Sequence, residues 1–132
     1  MTESLTPPHL QAVWPNANWS NEALWHLEVP IQQIPVQALA WILDHPIWST
    51  RPPEPRFDLR PREVMAGASA YRAHKRRIER ANLSLPLIVH AHRGRRVVLD
   101  GLHRLARAVQ ERNATLPAKE VTLEQLRTSA SA

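Results

Sequence analysis

One stretch of this sequence combines residue types that chemistry needs at a spacing that can use them: Asp100-Gly101-Leu102-His103-Arg104. It follows the apolar run Val97-Val98-Leu99 and precedes a helical stripe of Leu102, Leu105, Ala106 and Val109. The order is therefore strand, sharp glycine turn, helix. The first backbone N–H groups of a helix have no internal partner, and they point at one spot that the helix dipole makes mildly positive. Glycine lets an anion come close to the backbone there. His103 and Arg104, in the first turn, add donors at the same place, which makes Gly101, Leu102, His103 and Arg104 a phosphate cradle. Asp100, at the strand's end, is placed to hold Mg2+ or to take a proton from a hydroxyl. His103 completes the catalytic set with Asp100.

Further candidates lie upstream. Glu63, in Arg60-Pro61-Arg62-Glu63-Val64, is a candidate general base, with Asp58 and Glu28 as weaker substitutes. Arg60 and Arg62 flank it as anion contacts. His74 and Arg77 are i, i+3 neighbours beside Lys75 and can reach one phosphate if their segment is helical. His90 and His92 share a strand face, but no third metal ligand accompanies them. Trp48 sits among prolines and arginines, where it either anchors a loop or stacks on a ring.

These groups need elements to hold them. Residues 1–22 read as a flexible N-terminal arm, pinned by Trp14 or Trp19. Residues 23–128 read as a single domain. Trp25 to Ile34 roughly alternates as a strand interrupted by Pro30, and Trp25 and Trp41 are expected in the core. Pro35 opens a helix carrying Val36, Leu39, Ile42 and Leu43. A proline-rich loop spans residues 45–61. A short helical turn at Arg62 to Met65 and a helix from Ser69 to Arg80 follow, with Tyr71, His74 and Ile78 on one face. Leu85 to Val89 and Arg96 to Leu99 pair as a hairpin across the turn at residues 91–95. Pro117 to Val121 forms the last strand, and Leu123 to Arg127 a final helical turn. The fold class is α+β, a small mixed sheet with flanking helices.

Composition narrows the partners. The chain has 132 residues, 43% of them apolar and none of them cysteine. Disulfides, thiolate metal sites and cysteine chemistry are excluded. No run approaches the ~18 apolar residues that a membrane helix needs, and no secretory signal opens the chain, so a cytoplasmic protein is expected. Fifteen of the seventeen cations are arginines. Residues 51–112 carry a net charge of +9 and the remainder −4. A basic middle points to an anionic partner: nucleotide, another phosphorylated molecule, or nucleic acid.

The order strand, hairpin, strand, Asp-Gly-x-His-Arg, helix, strand resembles the ParB/sulfiredoxin superfamily over roughly residues 27–127. Thr115-Leu116-Pro117-Ala118-Lys119-Glu120-Val121 resembles its Ile-Pro-Ala strand. Sulfiredoxins have Gly-Gly-Cys-His-Arg at this turn, and ParB proteins a Gly-Glu-Arg-Arg or Gly-Glu-His-Arg version. The ParB-like free serine kinases have Asp-Gly-His-His-Arg and are closest at the motif. The sulfiredoxin cysteine falls on Leu102, so the resemblance implies no sulfinic acid reductase. A complete partition protein is not expected either, because the chain ends soon after the module, and Ala81-Asn82-Leu83-Ser84 departs from ParB's Glu-Asn-x-x-Arg motif. The resemblance implies ATP or CTP with Mg2+ as cofactors and phosphoryl transfer to a small hydroxylated acceptor. Its alternative is a ParB-like, nucleotide-gated nucleic-acid-binding module.

Overall fold

A computed structural model describes residues 6–51, 56–67 and 70–131. Its centre is a four-stranded mixed sheet in the order β1-β4-β2-β3. Strand β1 is Ile31–Pro35, β2 Leu87–His92, β3 Arg95–Asp100 and β4 Thr115–Glu120. Among the described residues six α-helices flank it: α1 Asn21–Trp25, α2 Val36–Leu39, α3 Pro61–Met65, α4 Arg72–Arg80, α5 Leu102–Gln110 and α6 Leu123–Ala130. The architecture is α+β, as the sequence implies.

The hairpin β2–β3 is turned by Arg93 and Gly94, both at positive φ (53° and 85°). Two such residues give the turn whose twist matches the strands it joins. The register shifts between Ile88, opposite Asp100, and Val89, opposite Val98. This irregularity falls one residue before Gly101, and bulges of this kind re-aim the side chains next to them. After α5 the chain returns as β4, parallel to β2 and antiparallel to β1. Leu87, Val89, Val97, Val98, Leu105, Leu116 and Ala118 are fully buried and join sheet to helices.

Several sequence expectations need correction. The core takes in the expected N-terminal arm from Thr6 onward: Leu10, Val13 and Trp14 are buried, and Trp14 Nε1 donates to the Val98 carbonyl at 2.9 Å. Residues 21–25 are helical because Ser20 caps them, its hydroxyl accepting from the Ala23 N–H. Trp25 is therefore not a core residue and stands about half exposed, while Trp41 is only partly buried. The strand begins at Ile31, after Pro30. Of the proline-rich loop, residues 52–55 lie outside the described residues, as does Ser69 at the expected start of α4. The loop's base is closed by Trp48 and Leu59, whose backbones exchange two hydrogen bonds of 3.0 Å. Thr50 reinforces the closure through its N–H and hydroxyl, both donated to Asp58. Those donors hold the Asp58 carboxyl below the ordinary carboxylate range.

Candidate functional site

The site starts from one local event. Gly101 has φ of 101°, a conformation that side chains rarely adopt, and it serves as the N-cap of α5 without offering a side chain. The first N–H groups of α5 therefore have no side-chain cap. A Cβ at Gly101 would run into Leu87 Cδ2 and lie 3.2 Å from Arg104 Nη1. Glycine is required both for the backbone turn and for the approach of β2.

A cleft of about 590 Å³ opens at this helix start. Asp100, Gly101, Leu102, His103 and Arg104 form its floor. Arg76, Arg77 and Arg80 of α4 form one wall. The guanidinium of Arg104 is steadied by the Pro86 carbonyl at 3.0 Å, which uses one of its five donors. Arg107, one turn further along, holds the two helices together. Its Nη1 donates to the carbonyls of Glu79 (3.0 Å) and Ala81 (2.6 Å), at the end of α4. Four arginines and an uncapped helix start face one space, and Asp100 is the carboxylate among its lining residues. Asp100 Oδ2 accepts from the Trp25 indole at 2.7 Å, which leaves Oδ1 available.

Behind the floor lies a stack of three rings. The imidazoles of His74 and His103 both lie parallel to the Trp48 indole, at centroid distances of 4.6 and 4.1 Å. Their own centroids are 5.3 Å apart, and His74 Nδ1 meets His103 Nε2 at 3.0 Å. The two imidazoles are thus edge to edge on a single face of Trp48. His74 Nε2 reaches the Ser49 carbonyl at 2.7 Å. A carbonyl only accepts, so Nε2 carries the proton. Burial, opposed by the Ser49 hydrogen bond, holds His74 below the ordinary histidine value. Burial, then the charge of Arg77, then His74 itself bring His103 down to about 3. Both rings are neutral at pH 7. His74 Nδ1 is then an acceptor, His103 Nε2 its donor, and His103 Nδ1 a lone pair.

The structure brings Asp100, Gly101, Leu102, His103, Arg104 and Arg77 together, and it separates the others. Glu63 does not line the cleft. Its carboxylate accepts from the Arg60 N–H at 3.2 Å and closes the first turn of α3. Arg62 pairs with Asp44 at 3.2 Å, and neither Arg60 nor Arg62 lines the cleft. His74 is buried behind His103 and reaches the cleft only through it. His90 and His92 are each committed to a backbone carbonyl, of Val121 (2.8 Å) and Gln11 (2.9 Å). Among the described residues no group of three or more His, Cys, Asp or Glu could hold a metal ion. Trp48 is 5% exposed with the histidine pair over one face, and it is itself among the residues lining the cleft. Sequence reasoning did not single out Arg76 and Arg80 as cleft residues, although their i, i+4 spacing around Arg77 was visible. No helix of the described residues is long and apolar enough to cross a membrane.

No family model and no curated protein matches this sequence. Among solved structures, the chain is similar to sulfiredoxin from Arabidopsis thaliana. The identity is 17% over 76% of this chain and 97% of that one, with a TM-score of 0.38. It is also similar to C-terminally truncated chromosome-partitioning protein ParB from Caulobacter crescentus, complexed with CTP-γ-S. There the identity is 16% over 77% of this chain and 49% of the other, with a TM-score of 0.43.

Proposed function

We propose that the protein binds a nucleoside triphosphate in the cleft at the start of α5 and transfers a phosphoryl group to a small hydroxylated acceptor. One observation carries the reading: the uncapped start of α5 opens into a cleft walled by Arg76, Arg77, Arg80 and Arg104. Phosphoryl transfer asks a protein chiefly for positioning and charge neutralisation, and this cleft is built from cationic donors. Its volume lies within the range of small-molecule sites. The motif resemblance supports the same class of ligand, ATP or CTP.

The residues divide the work. Backbone N–H groups of α5 and the four guanidinium groups hold the phosphates. Leu85 and Leu102 give the cleft an apolar side. Asp100 Oδ1 fits Mg2+ that arrives with a nucleotide, because that ion takes one or two carboxylates and completes its shell with phosphates and water. Bound there, Mg2+ would neutralise charge on the phosphates. A carboxylate oxygen of Asp100 is placed to take the hydroxyl proton, and His103 Nδ1 borders the phosphates. In the empty cleft its basicity is low, and phosphates that offset the charge of Arg77 raise it.

A second reading draws on Arg72, Arg76 and Arg80, exposed at successive turns along α4. That stripe fits a nucleic-acid backbone running out of the cleft. Salt separates the readings, since backbone binding by several arginines weakens steeply between low and moderate salt.

Thermal melting with ATP, ADP, CTP and GTP, with and without Mg2+, tests the proposal. A ligand at about 100 times its Kd adds roughly 2.7 kcal/mol, a rise of several degrees. A rise with one triphosphate that disappears in Arg104→Ala supports the site. No rise with any of the four refutes it. Transfer is then read with a γ-labelled nucleotide against hydroxylated acceptors.

A further inference from the structure

We propose that the His74–His103 pair takes up a proton when the cleft binds a polyphosphate, so that anion and proton bind as one unit. The inference rests on the reading that this cleft binds phosphates.

The tautomers of the pair are fixed by its partners. The Ser49 carbonyl at 2.7 Å keeps the proton on His74 Nε2. The 3.0 Å contact between the rings then keeps a proton on His103 Nε2 while the pair is neutral. His103 Nδ1 is left as a lone pair on a ring that lines the cleft, and among the described residues it has no hydrogen-bond partner. Phosphate oxygens are also acceptors. A polyphosphate beside a neutral His103 sets lone pair against lone pair. A proton on Nδ1 turns that repulsion into a charge-assisted N–H to O hydrogen bond.

The pair is built to carry this proton. If His103 gains it, the Nε2 proton can shift to His74 Nδ1, and His74 keeps its Nε2 bond to Ser49. Either ring can hold the charge without breaking a hydrogen bond. The Trp48 face beneath both rings favours a cation over it. In the empty cleft the opposing forces win. Burial and Arg77 act on His103, and Arg76, Arg80 and Arg104 line the same space, with Asp100 as the countercharge. A polyphosphate reverses that balance, because it offsets the arginine charges and supplies the acceptor.

The test is calorimetric titration of the full chain with inorganic triphosphate, in two buffers of different ionisation enthalpy, for the wild type and His103→Asn. Protonation of triphosphate itself is common to both proteins. The wild type should take up about one proton more than the variant. Its affinity should weaken with rising pH by up to about tenfold per unit more than that of the variant. Histidine ring shifts by NMR give a second reading that does not depend on the variant. The His74 and His103 rings should be neutral at pH 7 alone and become protonated with triphosphate, while the ring signals of exposed His26 stay where they are when triphosphate is added. Binding with equal proton uptake in both proteins, or rings that stay neutral in the complex, overturns the inference and leaves the cleft reading intact. No binding of triphosphate to the wild type refutes the cleft reading and the inference with it.

Discussion

Gly101→Ala is the substitution with the most to say about this site. Two costs are separable. The first is conformational: alanine at φ of 101° is strained by about 1–2 kcal/mol. The second is steric. The new Cβ runs into Leu87 Cδ2, and Leu87 is fully buried, so its side chain must move within a packed core. Overpacking of this kind costs about 1–3 kcal/mol. Together the change should remove roughly 2–5 kcal/mol from a domain whose whole stability is about 5–15 kcal/mol. Urea unfolding measures it, and melting should fall by about 10 °C or more. A double variant with Leu87→Ala separates the parts. The collision disappears, so the pair should destabilise by about 1–3 kcal/mol less than the sum of the single changes, and the conformational part should remain. A Gly101→Ala loss below about 1 kcal/mol, or strict additivity with Leu87→Ala, would refute the account of this turn.

Other outcomes are expected from the same geometry. Stability should fall in acid: the His103 value of about 3 lies below the unfolded 6.5, so the folded state holds fewer protons between them. The stability is complete above pH 6.5 and is lost as pH drops, by up to roughly 2 kcal/mol at pH 5. Urea unfolding of His103→Asn at pH 7 and 5 should show a smaller difference than the wild type. Glu63→Gln should leave nucleotide-induced melting shifts unchanged, because Glu63 caps α3 and does not line the cleft; an abolished shift would contradict that placement. Trp25→Phe removes the indole donor from Asp100 Oδ2. It should change the Mg2+ dependence of nucleotide binding more than binding without Mg2+, as read by melting.

What the sequence made legible was local. The turn at Asp100 to Arg104 could be read because strand, glycine and helix stripe are adjacent, and Arg93-Gly94 marks its hairpin in the same way. Arg60, Arg62 and Glu63 were misplaced although the local signal was present. Proline at the first helical position and glutamate at the third write a helix start, and that start uses the carboxylate. Trp25 was misread as core for a similar reason, since Ser20 and Glu22 already signalled a helix. The histidine pair was out of reach. His74 and His103 are 29 residues apart and belong to different helices, and only the packing of α4 on α5, tied by Arg107, sets ring against ring over Trp48. Each histidine stood out as a phosphate donor, whereas the fixed protons leave His103 as an acceptor in the empty cleft.

The strand order also dictates when the domain can assemble during synthesis. Among the described residues β1 has β4 as its one strand neighbour, with Ile34 opposite Leu116, and Trp14 finds its carbonyl on Val98. A nascent chain cannot offer β1 its partner strand until nearly all of the domain has left the ribosome. Closing contacts of such long separation is slow, because loop entropy is lost before they form. Until β4 arrives, β2 presents an unpaired apolar edge of the kind that invites association with other chains. Folding of this domain therefore waits for its last strand, and a translational pause before residue 115 would leave that edge open.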